Sequence, residues 1–126
     1  MTPTIAHLVF SPNPTPERLQ MMRNMLACQF ESARAMTDQA PFGANMMLGL
    51  AIDGMLRYHY WHTTRAVPRD TDFLAALDRL DHDLGQLARQ FQTATDLSVR
   101  WSLAGQIAAV TLQPGEWVDS PLALAG

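Results

Sequence analysis

The chain has 126 residues, 48% of them apolar and 17% charged, with a formal net charge of −3. That length suits one domain with a buried core. No apolar run nears the roughly 20 residues of a membrane-spanning helix, and the acidic balance excludes extended DNA binding through a dominant basic patch. Cys28 is the single cysteine, which excludes an intramolecular disulfide and a cysteine-built zinc site and makes the cytoplasm the expected location.

All nine basic side chains are arginine. A lysine Schiff base, a lysine general base and a phosphate-loop lysine are therefore excluded, and neither GxxxxGK[ST] nor GxGxxG occurs. Residues 1–14 read as an irregular arm. Its short apolar stretch at 5–10 has no basic flank and no evident cleavage site, so no signal peptide is expected. Thr15 caps a first helix with Pro16 at its first position and Glu17 at the positive end of the dipole. Leu19, Met22, Leu26, Phe30 and Ala33 form its apolar stripe, and it fades near Asp38-Gln39, before Pro41.

A second helix is expected over residues 44–64. Leu48, Ala51, Ile52, Met55, His59 and His62 share one face at 100° per residue. Leu50, Asp53, Arg57, Trp61 and Thr64 share the other, with Leu56 and Tyr60 between. A helix apolar almost all round is central or lies at an interface. Thr71-Asp72 opens the next helix, with Phe73, Leu74, Leu77 and Leu80 facing inward. Asp81-His82-Asp83 either caps a fresh helix or continues the old one, and Leu84, Leu87, Ala88 and Phe91 carry the apolar face onward.

Asp96 caps the last helix, with Val99, Leu103, Ile107 and Val110 inward and Trp101 and Ala104 beside them. Gln113-Pro114-Gly115 stops it. The tail, with Trp117, packs back on the bundle or on a partner. The pattern predicts an all-α fold, a compact bundle of about four to five helices in one domain over 1–126, with arm 1–14, bundle 15–112 and tail 113–126.

The densest chemistry lies at the end of the second helix: Asp53, Arg57, Tyr58, His59, Tyr60, Trp61, His62 and Arg65. Asp53 and Arg57 are four apart and can pair. His59 and His62 are either core histidines closing one end of the bundle or two ligands of a metal completed by His82, Asp81 or Asp83. The chain has only three glutamates, too few for a di-iron bundle site, so no metal or cofactor is assigned. Tyr58, Tyr60 and Trp61 are core aromatics or a platform for a nucleobase. Of the eight methionines, six lie between Met21 and Met47, either filling the core or lining a groove for a partner.

Part of the chain, over residues 44–112, resembles the helical C-terminal domain of bacterial nucleotidyltransferases, within the HEPN superfamily of helical bundles. The likeness lies in a helix ending in Arg57-Tyr58-His59-Tyr60-Trp61-His62, a turn containing Pro68, a helix broken at Leu80-Asp81-His82-Asp83-Leu84, and a final amphipathic helix. It implies a non-catalytic module that binds a nucleotide-sized ligand through Asp53, Arg57, Tyr58, His59, Trp61, His62 and Arg65, or a partner protein, as a homodimer.

A separately encoded nucleotidyltransferase is the partner implied, because the Gly-Ser and paired-Asp motif of that enzyme is nowhere in the chain. The alternative implied by the resemblance is a metal-independent ribonuclease, toxin-like, with an Arg-x4-His motif. There Arg57 would hold the scissile phosphate of an RNA and His62 would act as general acid and base. A third reading is a purely structural bundle.

Overall fold

The computed structural model describes residues 14–112, and the expectations made for the arm, for Gln113-Pro114-Gly115 and for the tail lie outside those residues. Five helices follow one another: α1 (Pro16–Met36), α2 (Pro41–Thr63), α3 (Phe73–Leu80), α4 (His82–Thr93) and α5 (Leu97–Thr111), with a single 3-10 turn (Asp70–Asp72) before α3. No strand occurs among the described residues. One core draws on all five helices. The architecture is an all-α bundle.

The caps stand where the sequence puts them. Thr15 Oγ1 accepts from the Arg18 amide at 3.1 Å, and Asp96 Oδ2 accepts from Val99 at 3.3 Å. Asp81 breaks the chain into two helices, because its backbone is extended and its Oδ1 accepts from the Leu84 amide at 3.1 Å. A carboxylate offered to orphan amides at a helix start stabilises a new helix more than a continuing one. Leu19, Met22, Leu26, Phe30 and Ala33 are all buried.

Three boundary expectations change. α2 begins at Pro41, not near Ala44, because a proline that ends one helix is equally suited to the first position of the next. Leu80 and Val99, expected inward, are exposed. Each stands in the terminal turn of its helix, beyond the reach of the core.

α2 is central, packing most extensively against α1 and then against α5, while α4 joins α3 to α5. Gly54 lets α1 approach: a Cβ there would collide with the Leu26 side chain. The turn after α2 is closed by the amides of Thr64 and Arg65, which both donate to Tyr60 O at 2.8 and 3.0 Å. Arg65 takes a positive φ of 65°, a left-handed conformation usually left to glycine. The chain then returns along α2, where the Tyr60 hydroxyl donates to Phe73 O at 2.6 Å and the two rings meet edge-on at 5.0 Å.

Candidate binding cleft

Of the seven residues singled out at the end of α2, the structure sorts three into the core. Tyr58, His59 and Trp61 are buried, so none of them offers a face to a nucleobase. His62, expected on the buried stripe, is exposed, because α2 ends one residue later and the stripe outruns the core. Its ring stacks on Tyr58 at 5.7 Å with an interplanar angle of 14°. Arg65 is exposed at the turn. Among the described residues no three of His, Cys, Asp or Glu converge to hold a metal, so His59, His62 and His82 do not share one there.

Asp53 and Arg57 do belong to a common site. Arg57 Nε donates to Asp53 Oδ2 at 2.9 Å, and Nη2 reaches Asp70 Oδ1 at 3.5 Å across the returning chain. The hydrogen bond to Asp53 raises the Arg57 pKa further, against the opposing effect of burial, with Asp70 adding to it. The guanidinium lies 5.3 Å from the centre of the Phe73 ring. Five residues turn a helix by about 140°, and His62 has no part in lining this cleft.

The cleft itself encloses about 470 Å³ between α2, the 3-10 turn, α3, α4 and α5. Ile52, Leu56, Leu74 and Ala88 supply apolar lining, and Gly49 leaves a side-chain-sized space on α2. Arg100 supplies the second cation. Its Nε donates to Asn45 Oδ1 at 3.1 Å, its Nη1 to Phe91 O at 3.0 Å, and its guanidinium lies 4.1 Å over the Phe91 ring. Gln92 adds an amide. Two guanidiniums against aromatic rings and two carboxylates thus share one partly apolar hollow. The described lining holds no Ser, Thr, Cys, His or Tyr.

Arg100 and Asp70 were not singled out from sequence. Arg100 carried a signal, since it stands on the same helical stripe as Leu103, Ala104 and Ile107, where a charge needs a reason. Asp70 carried none, because only the return of the chain brings it to Arg57. A larger hollow of about 920 Å³ lies against the outer side of α1. Its described lining comes from one helix, α1.

His59 is a buried ring whose Nδ1 has no hydrogen-bond partner. Burial lowers its pKa, opposed by the nearby Asp81 carboxylate and reinforced by His62. The folded protein therefore keeps neutral a ring that the unfolded chain protonates below about pH 6.5. Stability is full above that pH and falls as the pH drops below it, toward the lower folded-state value. Thermal melts between pH 8 and pH 5 should show Tm falling over the lower part of this range, with that component absent in His59→Phe. A wild type and variant that fall in parallel would show that other groups carry the acid sensitivity.

No protein-family model matches the chain, and neither a curated protein nor a solved structure shows significant similarity to it. The class is therefore defined by fold and site alone: an all-α bundle with a charge-balanced cleft beside its central helix.

Proposed function

We propose that the chain is a non-catalytic, HEPN-like helical module, acting in the cytoplasm, that binds a nucleotide-sized ligand between Arg57 and Arg100. The observation that carries this reading is the cleft of about 470 Å³ in which guanidiniums backed by Phe73 and Phe91 meet the carboxylates of Asp53 and Asp70. Its volume lies within the usual range for small-molecule sites.

The charges also narrow the ligand. Asp53 and Asp70 balance Arg57 and Arg100, so a nucleoside or a singly charged nucleotide fits better than a triphosphate. The guanidinium faces, held against Phe73 and Phe91, would take the base, and carboxylates would accept from sugar hydroxyls. A separately encoded nucleotidyltransferase is the partner the family resemblance implies. No feature of the described residues favours the ribonuclease reading, since two carboxylates neutralise Arg57 and His62 stands outside the cleft.

A thermal-shift panel of nucleosides, nucleoside mono- and triphosphates and free bases tests the proposal, with calorimetry on any hit. A neutral or singly charged member should stabilise the protein saturably. Arg57→Met should weaken it at least tenfold, and Gly49→Phe, which fills the cleft from α2, should abolish it. Absence of any hit, or binding that survives Gly49→Phe, overturns the reading.

A further inference from the structure

We propose that the cleft fixes the direction of its ligand: a phosphate group sits on Arg100, and the end that donates hydrogen bonds lies against Asp53 and Asp70. This deepens the reading above and rests on the cleft being a ligand site. The two guanidiniums of the lining differ in what holds them. Arg57 is paired with two carboxylates, 2.9 Å from Asp53 and 3.5 Å from Asp70. Among the described residues every acceptor of Arg100 is neutral: Asn45 Oδ1 at 3.1 Å, Phe91 O at 3.0 Å and Ala94 O at 3.4 Å.

Those bonds occupy Nε and Nη1 and leave Nη2 with no acceptor among the described residues. Capping the last carbonyls of α4 accounts for a cation at this place, but that task uses Nη1 alone and leaves the charge unneutralised. The half-buried side chain is fixed by its hydrogen bonds and by the Phe91 ring. A phosphate oxygen reaching Nη2 therefore gains a charge-assisted bond from a guanidinium that is already ordered. Arg57 is the poorer seat, because a phosphate there meets Asp53 and Asp70 as like charges.

The lining is thus neutral in total and divided in charge. Asp53 and Asp70 outweigh Arg57 at one end, and Arg100 stands uncompensated at the other. Helix α2 sets the two ends apart. Asn45, Gly49 and Asp53 follow at intervals of four along one side of it, and the rise from Asn45 to Asp53 is about 12 Å. Midway, at Gly49, a Cβ would meet nothing within 4 Å, so the floor between the ends is open. A ligand that reaches both must carry its anion and its donor groups at opposite ends. A nucleoside phosphate is built that way, with the sugar between the phosphate and the amino groups of the base.

Nitrogen–proton correlation spectra of the full chain, titrated with dimethyl phosphate at constant ionic strength, test this without a nucleotide. The Arg100 Nε–H signal should shift saturably while the Arg57 Nε–H signal stays in place. Gln92, exposed in the lining between Phe91 and Ala94, gives a variant that spares the cap on α4. Gln92→Glu sets a carboxylate beside Arg100 and should weaken phosphate binding about fivefold or more, with circular dichroism unchanged. The methyl ester of a nucleoside monophosphate should bind about fivefold or more tightly than the nucleoside, and Arg100→Gln should erase that preference. Equal shifts at Arg57 and Arg100, indifference to Gln92→Glu, or a preference that survives Arg100→Gln overturns the proposal even where nucleosides bind. Dimethyl phosphate seated on Arg100 with no nucleoside or nucleotide bound upholds it and overturns the nucleotide reading instead.

Discussion

Leu48→Ala is expected to lower the unfolding free energy by about 3 kcal/mol, while Leu50→Ala, two residues along the same helix, costs under about 0.5 kcal/mol. Leu48 is fully buried and Leu50 is 63% exposed. Truncating Leu48 removes three carbons from the most enclosed part of α2 and leaves a void between helices fixed by the rest of the core. The loss combines transfer free energy with the cavity that incomplete collapse leaves behind. In a domain of this size each kcal/mol moves Tm by several degrees, so a fall of at least 10 °C is expected.

Leu50→Ala removes a side chain that water already surrounds, so it takes little from the folding free energy. Urea melts of the two variants measure the difference. Equal destabilisation by the two variants would mean that α2 is rotated from the orientation described.

The same helix shows what the sequence made legible and where it stopped. Periodicity identified Leu48, Ala51, Ile52 and Met55 correctly, because burial along the middle of a helix obeys 100° per residue. It failed at His62, Val99 and Leu80, which satisfy the period but lie in the terminal turns of their helices and are exposed. Periodicity carries no information about how far a core extends. Caps were readable at Thr15 and Asp96 because a capping interaction is local.

Pro41 was readable only as an obstacle, since the same residue both ends and begins a helix. The candidate cleft divides along the same line. Asp53 and Arg57 are four residues apart, and their pairing follows from helix geometry. Arg100 bonds Asn45 across 55 residues, and Asp70 meets Arg57 only through the turn after Arg65. No local pattern encodes either.

Two glycines in helices should respond to alanine with opposite signs. In an open helix glycine is about 1 kcal/mol worse than alanine, from backbone entropy. A Cβ at Gly105 in α5 would meet nothing within 4 Å, so Gly105→Ala should stabilise by about 0.5–1 kcal/mol. Gly85 sits in the first turns of α4, where α3 folds back through Asp81. A Cβ there would collide with the Asp78 carboxylate and come within 3.1 Å of the Asp78 backbone.

The Asp78 side chain is not free to yield. Its Oδ2 accepts from Arg89 Nη2 at 2.6 Å, a bond that also holds the carboxyl below its ordinary pKa. Overpacking against a held side chain and a backbone atom costs about 1–3 kcal/mol, which outweighs the propensity gain. Gly85→Ala should therefore destabilise, measured as a lower urea midpoint with an unchanged slope.

A second substitution separates the two obstacles. Adding Asp78→Ala removes the carboxylate but leaves the α3 backbone pressed against the new methyl group, so the pair should recover part of the loss and not all of it. Full recovery would assign the whole penalty to the Asp78 side chain. No recovery would assign it to the backbone approach of α3 and α4, the corner that returns the chain past Phe73 and closes the cleft beside Arg57.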